Sequence, residues 1–368
     1  MQTHPKPRAA RRGPNPIAAV LTAGVLALPA PAIAQTETVR LAGSTVAMYN
    51  LAGEVTLEPG TGSDVVVTVR RRGADASRLS VESGPLELRR GDRGEIETLR
   101  IIYPSDRIRY DGMRGRTTLR VREDGTFWGD DGWRRRGNEV EISDRGDGLE
   151  ASADLEVSVP RGKEVVVMLA AGGITARNVD GGLHLDTGSG TIATSGTRGE
   201  LNLDTGSGDV TVNGAEGEVN VDTGSGNVEV RDVNGPDLAV DTGSGDVRID
   251  GVDAPDIEID TGSGDVVLLG ARTGNVGIDT GSGSVTVETV AGSASIHVDT
   301  GSGDVTVSVP GDYAGDVRLE TNSGRLRTDL PITLLRKDED EIVGRIGEGG
   351  SARIEADTGS GDISLRRS

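Results

Sequence analysis

The chain has 368 residues, no cysteine, a formal net charge of −20 and an aromatic content of only 2%, with a single phenylalanine. Disulfides, thiol chemistry and a lipid-modified cysteine are therefore excluded. The acidic balance disfavours nucleic acid as a partner, because a phosphate backbone is repelled.

Residues 1–34 read as a secretory signal peptide rather than as part of the fold. Lys6, Arg8, Arg11 and Arg12 make a basic start, residues 17–28 an apolar run, and Ala32-Ile33-Ala34 a cleavage site before Gln35. The apolar run is too short to span a bilayer comfortably. The Arg11-Arg12 pair is followed by Gly-Pro-Asn rather than an apolar pair, which favours the ordinary export route over the twin-arginine one. No later run could cross a membrane, so the expected mature product is exported to the periplasm, cell surface or medium.

Residues 35–168 form an N-terminal β region. Val55-Thr56-Leu57 and residues 65–69 read as strands of irregular opening coils that cap the stack. Residues 103–138 break the composition, with nine arginines, six acids and five of the seven aromatics. They read as an inserted hairpin or flap. Tyr110, Phe127, Trp128 and Trp133 are either partner contacts, since such residues favour interfaces, or a small satellite core sealing the side of the rod.

Residues 169–368 are a repeat. D-T-G-S-G begins at Asp186, Asp204, Asp222, Asp241, Asp260, Asp279, Asp299 and Asp357, with a degenerate E-T-N-S-G at Glu320. The steps of 18 to 21 residues, followed by one of 37, are the signature of a solenoid. Each half of the unit alternates apolar and polar residues, as in Val210/Val212 and Val219/Val221, so each half is a short strand with one buried face. The expected fold is all-β, a parallel β-solenoid with two short strands per coil of about 18–20 residues. Two facing sheets about 10 Å apart leave room for aliphatic residues but not for a regular run of rings. Nine or ten coils at roughly 4.8 Å give a rod on the order of 45 Å long. The step of 37 is explained by a loop insertion at about 330–349, which with Arg366 and Arg367 would blunt the open end.

The repeat's Asp and Thr are expected to serve as structural turn residues, accepting backbone N–H groups nearby. D-T-G-S is also the active-site string of aspartic proteases, but that chemistry needs two aspartates facing each other over one shared proton. Eight copies in register are a repeated turn. A Thr row at a Gly-rich turn is likewise unlike the strand-borne arrays of ice-binding solenoids. Two stacked rows of carboxylates, the repeat Asp and the set Asp209, Asp246, Asp265, Asp304 and Asp362, leave a calcium-binding β-roll-like module as an alternative. The register departs from the β-roll motif, since Asp209 follows Gly208 directly. His184 and His297 fall at outward strand positions. No catalytic triad or metal-ligand cluster is evident, so no catalytic, cofactor or metal residue is assigned.

With the repeats laid out, the chain resembles the bacterial family of exported β-strand-repeat proteins known as "putative adhesins", a domain of unknown function. The residues that carry the resemblance are Glu37-Thr38-Val39, the recurring D-T-G-S-G-D-V, and the ending Gly344-Arg345-Ile346-Gly347 with Gly359-Ser360-Gly361-Asp362-Ile363. The resemblance implies an adhesin-like scaffold and supplies no catalytic residues. The Arg/Trp insertion departs from the family's plain repeats. The expected function is a non-enzymatic interaction scaffold at the cell envelope or surface, with a protein or polysaccharide partner. A polysaccharide-binding or carbohydrate-active β-helix is the rival, although the repeats lack an aromatic sugar platform.

Overall fold

The computed structural model describes residues 35–87, 95–127, 137–290 and 294–368. Residues 1–34, and with them the expected signal peptide, lie outside the described residues, as do Trp128 and Trp133. Among the described residues, no helix is long and apolar enough to cross a membrane.

The described residues build a parallel β-solenoid of two long facing sheets. The front sheet collects strands that end in Asp-Thr, such as Leu201–Thr205, Val219–Thr223 and Asp237–Thr242. The back sheet collects the partners that follow Gly-Ser-Gly, such as Val210–Glu216, Val228–Asn234 and Val247–Asp253. The ladders run parallel and in register, Leu203 against Val221 against Val240, and Val212 against Val230 against Ile249. Alternation sends the aliphatic residues inward, where most are under 3% exposed. The front sheet has 15 strands among the described residues. At about 4.8 Å per strand it spans roughly 65 Å, longer than expected, because the opening strands and both caps join the same stack.

The back strands carry a third buried ladder that simple halving of the repeat does not anticipate. After the inward pair, the chain bends at a residue with left-handed backbone, and a further side chain turns inward: Thr197, Ala215, Val233, Val252. The bend falls on Gly196, Gly214 and Gly251, with Asp232 in the same column at φ 53°.

Both ends carry antiparallel strands, which an irregular opening coil and a loop on the last coil do not by themselves specify. At the N-terminal end, Ser80–Glu87 pairs antiparallel with Glu95–Ile102 at the front. At the back, Val65–Arg72 runs antiparallel to both Gln35–Leu41 and Ser152–Val159. At the C-terminal end, the stretch expected as a loop is a β-hairpin, Ile332–Lys337 and Glu341–Ile346, with the second strand antiparallel to Gly315–Thr321. It buries Leu330, Ile342 and Ile346 over the end of the core. Arg366 and Arg367 do not blunt the end, because Ile363–Arg367 lies between Val305–Val309 and Leu326–Thr328. Tyr313, 2% exposed, packs into the core near this end, where the regular coils stop.

Candidate functional surface

The insertion folds into a third sheet. Leu149–Glu150, Arg107–Arg109, Asn138–Ser143 and Arg116–Val121 lie side by side. A second core forms where it covers the outward face of Thr45–Ala52 and Lys163–Ala171: Ala47, Tyr49, Leu51, Val166, Met168 and Ala170 on one side, Ile108, Tyr110, Leu119, Phe127 and Ile142 on the other. Phe127 meets Tyr49 edge-on, with centroids 5.6 Å apart at 82°. Tyr110 donates from its hydroxyl to Glu54 Oε1 at 3.0 Å, and the single Tyr103 hydroxyl proton is shared between two acceptors, Asn50 Oδ1 at 2.8 Å and the Ala52 carbonyl at 2.9 Å. Burial is the main cause holding both phenols above their ordinary pKa. Tyr110 and Phe127 are thus corrected as partner contacts, since their rings are buried in this satellite core. The signal for it was present in the continuous apolar runs at 46–49 and 165–171, which alternation cannot explain and which mark strands covered on both faces.

The exposed front face carries the repeat aspartates. Asp186, Asp204, Asp222, Asp241, Asp260, Asp279, Asp299 and Asp357 occupy one ladder, in register rung by rung. Their expected turn role is corrected by this placement. Each sits within a strand, one residue before its end, and no described side-chain bond runs from a turn N–H to Asp204, Asp222, Asp241, Asp260, Asp279, Asp299 or Asp357. Two positions upstream, a variable column runs His184, Asn202, Asn220, Ala239, Glu258, Gly277, His297. Asn220 Nδ2 donates to Asn202 Oδ1 at 3.0 Å. The two columns border a shallow trough of about 400 Å³ between His184 and Asp260.

Electrostatics in the trough follows from the stacking. Desolvation first, and the carboxylate of Asp222 second, hold Asp204 above the ordinary carboxylate range. Asp222 is raised likewise by desolvation and then by Asp241. At the far end, Asp357 is raised by desolvation and by Glu320 and Asp299 on either side.

Turn-type hydrogen bonds are made by the second row, and they run between coils. Asp209 accepts from the N–H of Asn227 at 2.8 Å, Asp246 from Asp265 at 2.9 Å, Asp265 from Ser284 at 2.8 Å, Asp304 from Asp362 at 2.8 Å. Each carboxylate clips its coil to the next. The repeat threonines turn inward. Thr187, Thr205 and Thr358 are buried and donate to the carbonyls of Gly172, Gly190 and Gly303 at 3.0 Å. Among the described residues, no group of three or more His, Cys, Asp or Glu side chains could hold a metal ion. The histidines stand outward at separate rungs, His297 with 61% of its side chain exposed.

The fold and this surface define a parallel β-solenoid with an acidic, repeating front face. Residues 197–366, a little under half of the chain, match the family described as Toastrack DUF4097. This bears out the resemblance to a β-strand-repeat family of unknown function. Among solved structures, a putative cell adhesion protein from Clostridium sporogenes is similar at 10% identity, covering 91% of this chain and 100% of that one, with a TM-score of 0.20. No curated protein matches the chain in sequence.

Proposed function

We propose that this protein is an exported, non-enzymatic scaffold whose front face binds a partner at the cell envelope or surface. The ladder of the trough supports this reading. One column keeps a carboxylate at every rung from Asp186 to Asp299, and the column beside it varies. A constant acidic rail supplies electrostatic attraction, and a variable column supplies selectivity. Spread over a stiff sheet, these groups suit many weak contacts along an extended partner better than one reacting centre. A protein segment or polysaccharide offering cations and hydrogen-bond donors fits that chemistry, whereas nucleic acid carries the wrong charge. Export rests on the basic start, apolar run and A-x-A site of residues 1–34.

The test is retention of a component of the envelope of the producing cells by immobilised protein, at physiological salt, together with a screen for polysaccharide cleavage. Saturable retention without turnover is expected. Turnover of any polysaccharide would replace the scaffold reading with the carbohydrate-active one.

A further inference from the structure

At the C-terminal end, the order of coils departs from the order of the chain. Ala352–Thr358 lies between Ser295–Thr300 and Gly315–Thr321 in the front sheet. Ile363–Arg367 lies between Val305–Val309 and Leu326–Thr328 in the back sheet. The final coil, residues 351–368, is therefore wedged between two coils that precede it in sequence.

The coil on the far side of this wedge makes the same contacts as the wedge itself. Gly315–Thr321 and Ala352–Thr358 share one alternation of buried and outward residues. Val317 and Leu319 align with Ile354 and Ala356, which align in turn with Ile296 and Val298. Thr321 donates to the Gly361 carbonyl at 3.0 Å, as Thr358 donates to that of Gly303. The N–H of Arg325 donates to Asp362 Oδ1 at 3.0 Å, as that of Asp362 donates to Asp304 Oδ1 at 2.8 Å. If the final coil withdrew and the gap closed by one rung, Thr321 would find Gly303, Arg325 would find Asp304, and Val317 and Leu319 would find Ile296 and Val298. A chain that appears N-terminus first presents coil 315–328 to the open rung before residues 351–368 exist.

We infer that the C-terminal end of the rod has two registers: an early one, in which coil 315–328 stacks directly on coil 295–309, and a final one, in which residues 351–368 have intercalated and displaced that coil and its hairpin outward by one rung. The final register adds burial of Ile354, Ala356, Ile363 and Leu365, each at most 1% exposed. Against it stands the carboxylate of Asp357, placed between Asp299 and Glu320. Arg318 offsets part of that charge: it pairs with Glu320, the neighbour of Asp357 on the outer rung, at 2.5 Å, and its guanidinium opposes the rise in the Asp357 pKa. Gly347 and Gly349, at φ 68° and 75°, supply the bend through which the final coil turns back into the stack.

The absence of native cysteine makes the two registers separable by disulfide trapping. His297, Glu355 and Arg318 follow one another across the three rungs, all partly exposed on the outward face. In the final register His297 and Arg318 are two rungs apart, about 9.6 Å, beyond the ~7 Å reach of a disulfide. In the early register they are neighbours. Full-length H297C/R318C and H297C/E355C are refolded in a thiol–disulfide buffer, with crosslinking and amide hydrogen exchange as readouts. H297C/E355C is expected to crosslink in the folded protein. H297C/R318C is expected to crosslink during refolding several-fold above its level in denaturant. The crosslinked form should keep protected amides at 315–321 and lose them at 352–358, and its reduced form should protect both. Crosslinking of H297C/R318C no greater than in denaturant, or a crosslinked form unprotected at both strands, would overturn the inference.

Discussion

Asp204 and Asp222 stand one rung apart on the front face, and their carboxyls are held above the ordinary value of 3.8. Such a group takes up its proton earlier in the folded rod than in the unfolded chain, so the charged row costs stability at neutral pH. That cost is relieved as pH falls through the raised values. Asp362, held below the ordinary range chiefly by its hydrogen bond from Arg325, acts in the opposite sense: its contribution is present above the ordinary value and is lost as pH falls through the lowered one. The double variant Asp204→Asn/Asp222→Asn is expected to melt above the parent at pH 7, with the gap closing as pH falls to about 4. A variant that melts below the parent at pH 7 would restore these residues as turn caps. Glycine at the corners has a different basis. A Cβ on Gly245, at φ 140°, would lie 2.0 Å from the carbonyl oxygen of Gly226 in the preceding coil. Gly245→Ala is expected to cost about 3 kcal/mol by chemical denaturation, because backbone must shift in two coils at once. A cost under about 0.5 kcal/mol would show that the corners are not in contact.

The strand is the element that the sequence discloses most directly, because a period of two leaves little choice of inward residues once one face is buried. Val210, Val212, Val219 and Val221 point inward as their alternation requires. Val247→Asp places a charge, without a partner, at a site 1% exposed between facing sheets, and is expected to cost several kcal/mol. Unchanged melting of that variant would reverse the assignment of faces. What alternation does not disclose is which coil lies beside which. Gly315–Thr321 and Ala352–Thr358 have interchangeable patterns of buried and outward residues, so alternation does not order them. The third inward ladder escapes for a related reason. It lies beyond a left-handed bend, and a bend resets the period, as Val233 beyond Asp232 shows. The role of the Asp-Thr pair escapes because aspartate and threonine before glycine suit a turn and a strand end equally, and only the stacked neighbour decides between them.

At the scale of the molecule, acids outnumber bases by 59 to 39, and the excess lies on the repeats. Cations should therefore stabilise the rod by screening, whatever their identity. On the second row, Asp246 and Asp265 already accept backbone N–H groups from the next coil. Melting in millimolar calcium and in sodium matched for ionic strength is accordingly expected to shift equally. A calcium-specific shift that shrinks in Asp246→Asn/Asp265→Asn would instead place ions between the coils, with a gain that grows with the ratio of calcium concentration to Kd. The front face remains as the broad patterned surface, and the most direct test of its role neutralises it without changing its shape. Asp204→Asn/Asp222→Asn/Asp241→Asn/Asp260→Asn removes four charges from the trough, and Glu229→Gln/Asp250→Asn/Asp253→Asn/Glu288→Gln removes four from the back sheet. Saturation binding to the isolated envelope of the producing cells is measured for both variants and the parent. A loss of affinity of tenfold or more, about 1.4 kcal/mol, is expected for the front variant alone. Equal losses in both variants, or none in the front variant, would contradict a front-face scaffold.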